Sequence, residues 1–103
     1  MRGYELTAYA KKDLIAIWRY TCDTWGEAQA DVYLYKIETG FSKIAKGKIL
    51  GKQPLTSYAK LQSVRCEHHY IFFLTGDKPI ILAVLHEKMD FIARLKKRLA
   101  DDS

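Results

Sequence analysis

Apolar residues recur at helical spacing in the first half of the chain. The first stripe consists of Ala10, Leu14, Ile17, Thr21 and Trp25. Intervals of three and four residues place these side chains on one face of a helix, which Thr7 can cap and Gly26 ends. A second stripe consists of Ala30, Leu34, Ile37, Phe41 and Ile44, and Lys46 and Gly47 end it. The pattern predicts two amphipathic helices joined at Trp25-Gly26 as a hairpin.

The pattern changes after a loop predicted over residues 47–63. Short runs rich in β-branched and aromatic residues predict strands at residues 64–66, 70–75 and 80–86. Helical spacing returns in Met89, Ile92, Leu95 and Leu99, with Asp90 placed to cap this last helix. With a short segment at residues 3–6, the order is strand, helix, helix, three strands, helix. We expect one α+β domain over residues 1–103, with the hairpin packed on a small antiparallel sheet.

The predicted strands are apolar at both parities. A sheet with one face in water alternates apolar and polar residues, but residues 70–74 and 80–85 do not alternate. Both faces therefore need cover. The hairpin can cover one face, and the other needs the C-terminal helix, a second subunit or a binding partner. The pattern favours a protein that acts by binding.

The composition indicates which partners and which cellular compartment the protein suits. The chain has 17 Lys and Arg against 12 Asp and Glu, a formal net charge of +5 that favours acidic partners, either protein or nucleic acid. Cys22 and Cys66 are far apart, and the N-terminus lacks the apolar run of a signal peptide, so we expect a cytoplasmic protein with reduced thiols. No apolar stretch has the length needed to cross a bilayer, so no membrane association is expected.

A polar cluster near the second predicted strand offers two kinds of chemistry. A zinc site could use Cys66, His68 and His86, but no second ligand pair at short spacing supports it. We expect histidines that hydrogen-bond locally, and no metal or cofactor. A ribonuclease could use Arg65 to hold phosphate and Glu67 or His86 to move protons. Against catalysis, a hairpin tip is hydrated and mobile, and Arg65 and Glu67 can form an ordinary surface pair.

Other aromatic and basic residues have ordinary interpretations. Trp18 and Trp25 could stack on nucleic-acid bases, but their helical spacing favours packing within the hairpin. A basic run near the C-terminus consists of Arg94, Lys96, Lys97 and Arg98. Such a run is typical of a solvated helix face and would also suit an acidic partner segment.

Several motifs, taken in order, resemble ParE toxins of the RelE/ParE superfamily. In the first half they are Tyr4-Glu5-Leu6-Thr7, Asp13-Leu14, Ile17-Trp18, Trp25-Gly26, Gln29-Ala30 and Tyr33. In the second half they are Arg65-Cys66-Glu67-His68-His69-Tyr70, Leu85-His86-Glu87, Met89-Asp90 and Arg94-Leu95. The second set is similar to the broad-host-range plasmid branch of ParE. The resemblance spans nearly the whole chain, with residues 47–63 its weakest part.

The resemblance implies a toxin that inhibits DNA gyrase and hence replication, and that serves plasmid maintenance. It implies neutralisation by a ParD-type antitoxin in a hetero-oligomer, with DNA contacted only through the antitoxin or gyrase. It also implies an inhibitor that acts by binding rather than an enzyme. The RelE branch instead cleaves messenger RNA, but Tyr70 stands where those members tend to carry arginine, and no tyrosine follows it. That ribonuclease activity and a non-toxic interaction relic are the alternatives.

Two sets of contact residues follow from these arguments. An amphipathic antitoxin segment on the sheet would supply the missing cover. The predicted antitoxin contacts are Phe72, Leu74, Leu82 and Val84, or their neighbours of opposite parity. The candidates for gyrase contact lie in the C-terminal segment and are His86, Met89, Asp90, Arg94 and Leu95.

Overall fold

A computed structural model of the chain describes residues 3–49 and 51–102. Its elements are β1 (Glu5–Leu6), α1 (Ala8–Trp25), α2 (Glu27–Ala45), β2 (Leu61–Cys66), β3 (His69–Leu74), β4 (Ile80–His86) and α3 (Ile92–Asp102). The predicted order and the α+β class are confirmed. Strand β2 starts earlier than predicted because Gln62 and Ser63 hide a strand pattern that begins at the buried Leu61. Helix α3 starts at Ile92, after the predicted Met89 and Asp90.

The four strands form one sheet in the order β1-β4-β3-β2. Strands β2, β3 and β4 are antiparallel neighbours, as predicted. Strand β1 adds a short parallel pair at the edge, where Glu5 and Leu6 lie beside Ile80 and Ile81. The sheet is therefore mixed, and its β1 edge is much shorter than its neighbour β4.

The hairpin begins and ends where the sequence predicts. The Thr7 hydroxyl accepts the Ala10 N–H at 3.1 Å and so caps α1. Gly26 joins α1 to α2 with φ of 97°, a conformation that favours glycine. On α2, Gly40 lets the helix approach the sheet, since a Cβ there would lie 3.0 Å from Cδ1 of Ile71.

Two hydrophobic clusters lie on opposite faces of the sheet. The first fills the space under the hairpin, and its buried members are Tyr4, Ala10, Ile17, Ile37, Phe41, Ile44, Ile71, Phe73, Ile81 and Val84. The second lies under α3 and the segment before β2, and its buried members are Leu55, Leu61, Phe72, Leu82, Ala83, Leu85, Leu95 and Leu99. Of the three kinds of cover considered from the sequence, the C-terminal helix is the one that the structure shows.

A β-bulge in β4 lets consecutive apolar residues reach both clusters. The pairing with β3 skips Leu82, because Ala83 and Ile81 face consecutive β3 residues. Leu82 and Ala83 both contribute to the second cluster, whereas Ile81 and Val84 belong to the first. Leu82 and Val84, two of the predicted antitoxin contacts, therefore lie on opposite faces, since the extra residue breaks the two-residue alternation.

Side chains close the edge of β4 beyond the end of β1. The backbone groups on this edge need partners because β1 pairs only with Ile80 and Ile81. The Thr7 hydroxyl donates to the Leu82 carbonyl at 3.2 Å. The Val84 N–H donates to Oδ2 of Asp13 at 3.0 Å, so α1 protects the exposed part of the strand.

A buried ion pair then ties α3 to this edge. Arg98, only 9% exposed, contacts the two carboxylate oxygens of Asp13 at 2.6 and 3.0 Å. Its guanidinium also donates to the Leu82 carbonyl at 3.4 Å and lies over the Tyr9 ring. The interpretation of Arg98 as part of a solvated face is wrong, because Arg98 lies three residues after the buried Leu95 and so shares its inward face of α3.

Candidate functional site

An open groove of about 900 Å³ lies between the hairpin and one end of the sheet. We call it the histidine groove. Its hairpin wall includes Tyr20, Trp25, Tyr33 and Lys36, and its other side includes His69, Val84, His86, Met89 and Arg94. Tyr20 and Trp25 are 70% and 71% exposed, so large aromatic surfaces face the solvent there. Exposed aromatic groups in a concave surface are typical of a binding site.

His69 lies half-buried in the groove and contacts two other rings. Its Nδ1 is 2.6 Å from the Tyr33 hydroxyl, and its ring meets that of His86 edge-on with the centroids 5.2 Å apart. The His68 N–H donates to the same hydroxyl oxygen at 3.2 Å, so the Tyr33 hydroxyl contacts both His68 and His69.

The environment keeps His69 and Tyr33 uncharged. Burial lowers the pKa of His69 most, and together with the neighbouring His86 and His68 it brings the pKa from 6.5 to about 4. Burial also raises the pKa of the Tyr33 hydroxyl, so Tyr33 keeps its proton. This part of the groove therefore presents polar but neutral groups at physiological pH, which suits a largely apolar ligand held by few hydrogen bonds.

A charged cluster lies at the rim, around Glu87. Its carboxylate contacts the Arg65 guanidinium and lies 3.0 Å from Nδ1 of His68. The hydrogen bond from His68 lowers the pKa of Glu87, and the positive charge of Arg65 adds to this effect. Arg65 also donates to the Glu67 carbonyl at 3.2 Å and lies over the Tyr70 ring. The rim cluster is therefore internally neutralised.

The residues of the ribonuclease alternative have separate partners. Arg65 pairs with Glu87, and Glu67 pairs with Lys36 on α2 at 3.5 Å. Nδ1 of His86 accepts a backbone N–H at 3.1 Å. Arg65 is therefore already paired with a carboxylate that a phosphate would have to displace. The arrangement favours binding over acid–base chemistry.

The residues of the zinc alternative also have different neighbours. The Cys66 thiol lies 3.6 Å from the Lys36 carbonyl, and burial raises its pKa. Nδ1 of His68 lies 3.0 Å from the Glu87 carboxylate, which is the kind of local hydrogen bond expected of the histidines. Within residues 3–49 and 51–102, no three His, Cys, Asp or Glu side chains are grouped so that they could hold a metal ion.

The predicted antitoxin contacts lie mostly inside the protein. Phe72 and Leu82 are at most 1% exposed beneath α3, and the partly buried Leu74 packs against the same cluster. Val84 is also buried, but it lines the histidine groove. An antitoxin could reach Phe72 and Leu82 only if α3 moved, whereas it could approach Val84 through the groove.

Some of the predicted gyrase contacts are accessible and one is buried. His86, Met89 and Arg94 line the histidine groove, and the exposed Asp90 lies beside them in the chain. Leu95 is fully buried in the second cluster and is not available for contact in this conformation.

Sequence reasoning missed the hairpin wall of the groove. Trp25 was expected to pack within the hairpin, but it is 71% exposed because the helix ends there and nothing covers its outer side. Trp18 does pack, and its indole N–H donates to Asp31 at 3.0 Å. The signal that could have identified the wall is the series Tyr20, Trp25 and Tyr33, large residues that lie outside or at the end of the predicted core stripes.

Comparisons with known proteins agree with this architecture. A family model described as "ParE toxin of type II toxin-antitoxin system, parDE" matches residues 4–91. The chain is 43% identical over 101 residues to "Toxin ParE" of Escherichia coli, covering 96% of this chain and 98% of the relative. It is 30% identical to "Toxin ParE1" of Caulobacter vibrioides, covering 92% of this chain and 99% of the relative. A solved structure titled "Chromosomal ParDE TA system from P. aeruginosa" has the same fold, with a TM-score of 0.66 at 18% identity over 84% of this chain and 98% of that one.

Proposed function

We propose that this chain, which belongs to the ParE toxin family of type II toxin–antitoxin systems, acts in the cytoplasm by binding and inhibiting DNA gyrase. A ParD-type antitoxin neutralises it in a toxin–antitoxin hetero-oligomer. The observation that carries the binding role is the histidine groove, an open concave surface with exposed aromatic side chains and a neutral polar interior. The target, gyrase, is what the family resemblance implies.

The antitoxin's apolar segment occupies the histidine groove. Tyr20 and Trp25 supply large apolar surfaces, and Val84 lies at the buried side of the groove. Arg94 also lines the groove and forms no ion pair with any residue that the structure describes, whereas the other lining cation, Lys36, is paired with Glu67. An acidic residue of an amphipathic segment therefore has a complementary charge at Arg94. Contact with Phe72, Leu74 and Leu82 remains a prediction that applies to a state in which α3 has moved.

The gyrase contact uses the sheet-side wall of the same groove. His86, Met89 and Arg94 line this wall, with Asp90 beside it. An antitoxin segment seated in the groove covers these residues, so the two partners compete for one surface. Neutralisation is then a matter of steric exclusion and needs no change in the fold of the toxin.

A plasmid supercoiling and cleavage assay tests the proposal. Purified gyrase, ATP and supercoiled plasmid should give lost supercoiling or linear DNA when the toxin is added, and addition of the antitoxin should reverse the effect. The variant Arg94→Glu should weaken the inhibition at least tenfold, whereas Lys96→Glu, the same charge change at an exposed position on the same helix, should not. Inhibition that is equally strong in both variants would contradict the assigned wall.

The same purified toxin can be used to distinguish gyrase inhibition from the ribonuclease alternative. A ribosome-dependent ribonuclease would leave gyrase unaffected and would produce cut messages in a translation mixture. Its activity would disappear in Arg65→Ala, a position outside the lining of the groove, while antitoxin binding remained. Cut messages without gyrase inhibition would replace the gyrase proposal with the ribonuclease one, and neither effect from folded protein would indicate an inactive relic.

A further inference from the structure

The positive charges of the chain are concentrated in one segment. Residues 39–66 contain six Lys and Arg and no Asp or Glu, whereas the other 11 of the 17 Lys and Arg share the rest of the chain with all 12 Asp and Glu. The net charge of +5 therefore comes entirely from this segment. A field of one sign on a protein surface attracts ligands of the opposite sign.

The fold brings four of these lysines to one edge of the molecule. At the end of α2, Gly47 has a φ of 68° and the Lys48 N–H donates to the Lys43 carbonyl at 3.0 Å, a turn that ends the helix. The chain then runs beside β2, the strand at one edge of the sheet, where two backbone hydrogen bonds of 2.9 and 2.7 Å join Lys52 to Ser63. We call the surface formed by Lys43, Lys46, Lys48 and Lys52 the basic edge.

The cations of the basic edge have no carboxylate partners among the residues that the structure describes. All four lysines are exposed, and none forms an ion pair with any residue in 3–49 and 51–102. Arg65 belongs to the same segment, but it is paired with Glu87 and is left out of this surface. Each of the four ammonium groups can therefore neutralise a phosphate without first breaking an ion pair.

We infer that the basic edge binds the phosphate backbone of duplex DNA. Lysines that neutralise phosphates release the counterions condensed on the duplex, and this release drives binding. Contacts made only to phosphates position a protein on DNA but carry no sequence information. The binding is therefore weak, dependent on salt and independent of sequence.

The side chains around the basic edge favour a duplex over a single strand and over an acidic protein. Single strands are held by bases stacked on aromatic side chains, and protein partners are held by apolar anchors. In residues 39–66, Phe41 is buried, and Tyr58 is the one large hydrophobic side chain among the described residues that is exposed, at 41%. The exposed Tyr20 and Trp25 lie in the histidine groove instead. The basic edge thus offers charge with little surface for stacking or anchoring.

The basic edge and the histidine groove are separate surfaces. None of the four lysines lines the groove, so the chain can hold a duplex while the groove takes a protein partner. The inference goes beyond the proposed function, because a direct contact adds to the indirect one that the family resemblance implies and keeps the toxin close to the DNA on which gyrase acts. DNA binding can be measured without gyrase, so the inference and the proposed target can fail independently.

The test is the binding of the full-length chain, free of antitoxin, to a fluorescently labelled DNA duplex, followed by anisotropy. The wild type should bind duplexes of unrelated sequence equally, with a dissociation constant on the order of 1–100 µM at about 50 mM salt. Four phosphate contacts should lower the affinity about a hundredfold between about 50 and 200 mM salt. The triple variant Lys43→Gln, Lys48→Gln, Lys52→Gln should lose roughly tenfold or more in affinity and most of the salt dependence. All three positions are exposed, and Gln and Lys have similar helix propensities, so the variant should fold and keep its affinity for the antitoxin.

A matched variant distinguishes the basic edge from the net charge of the chain. The triple variant Lys88→Gln, Lys96→Gln, Lys97→Gln makes the same change of charge at exposed positions outside the segment, and it should lose less than about threefold in affinity. Equal losses in the two triple variants would overturn the inference, and so would a wild type that does not bind the duplex at about 50 mM salt and about 1 mM protein. Poly(dT) that binds more tightly than the duplex, or polyglutamate that competes as well as DNA does, would also overturn it and would assign the surface to a single strand or to an acidic protein.

Discussion

Asp13 is the residue on which three elements converge. Its carboxylate accepts the Val84 N–H of β4 and pairs with Arg98 of α3, and the two side chains are only 13% and 10% exposed. Removal of one member leaves the other as a buried, unpaired charge, which is more harmful than removal of both. We expect Asp13→Asn to lower the free energy of unfolding by about 3–5 kcal/mol.

The double variant Asp13→Asn with Arg98→Met distinguishes the cost of an unpaired buried charge from the cost of changed side-chain packing. It should be more stable than Asp13→Asn alone in urea denaturation, because no buried charge remains and Asn keeps an acceptor for the Val84 N–H. Lys78→Met breaks the exposed pair with Glu5 and should change stability by less than about 1 kcal/mol. A double variant that loses the sum of the two single losses would contradict the coupling.

His69 should make stability depend on pH. Its pKa is about 4 in the folded protein against 6.5 when unfolded, so the unfolded chain binds the proton first as the pH falls. The contribution of His69 to the free energy of unfolding is fully present above about pH 6.5 and is lost progressively between pH 6.5 and 4. Allowing for partial exposure of the ring, we expect a loss on the order of 1–2 kcal/mol.

The control for this prediction is His69→Gln, measured by urea denaturation from about pH 7.5 to pH 5. Several groups face the ring: Tyr33 from α2, Asp13 from α1, and His68, His86 and Glu87 from the sheet and its turns. The pKa of Glu87 is lowered from 4.5, so Glu87 stays ionised through the upper part of this window. The variant should therefore lose most of the slope, and an unchanged slope would assign the titration to another group.

At the scale of elements, Thr7 joins the start of α1 to β4. Its hydroxyl caps the helix by accepting the Ala10 N–H and donates to the Leu82 carbonyl on the edge of β4 beyond the end of β1. Thr7→Ala should lower the free energy of unfolding by about 1–2 kcal/mol in thermal or urea denaturation. Thr24→Ala, an exposed position inside the same helix, should be neutral or slightly stabilising because Ala has the higher helix propensity. Equal losses in the two variants would contradict the capping role.

The sequence predicted elements better than it predicted their contacts. Both hairpin helices are confirmed because Thr7 and Gly26 are strong local signals that act within one turn of the chain. The bulge at Leu82 carries no such signal in a run of apolar residues, so the faces of β4 could not be assigned. The Asp13–Arg98 pair joins residues far apart in sequence, and only the folded chain brings them together.

At the scale of the whole molecule, the hairpin separates two surfaces with different chemistry. The histidine groove has exposed aromatic groups beside the neutral His69 and Tyr33. A second groove of about 690 Å³ lies between α1 and α2, where Ile15 and Tyr35 stand beside Arg19 and Glu38. The sequence predicted partner binding from the apolar strands, but α3 covers the face on which that prediction rested. The exposure of Trp25 shows where apolar surface remains available, and it depends on the chain reversal at Gly26 rather than on the strands.

The role of the histidine groove in neutralisation is tested most simply by the affinity of the cognate ParD-type antitoxin for Trp25→Ala, measured by isothermal titration calorimetry. Trp25 is an exposed aromatic residue of the groove and belongs to neither hydrophobic cluster, so its loss should affect binding rather than folding. We expect Trp25→Ala to weaken binding roughly thirtyfold or more, the effect of losing an aromatic anchor. Tyr58→Ala, which removes an exposed aromatic residue from the loop before β2, should bind as the wild type does. Equal affinities for the wild type and Trp25→Ala would contradict the assignment of the histidine groove as the site of neutralisation.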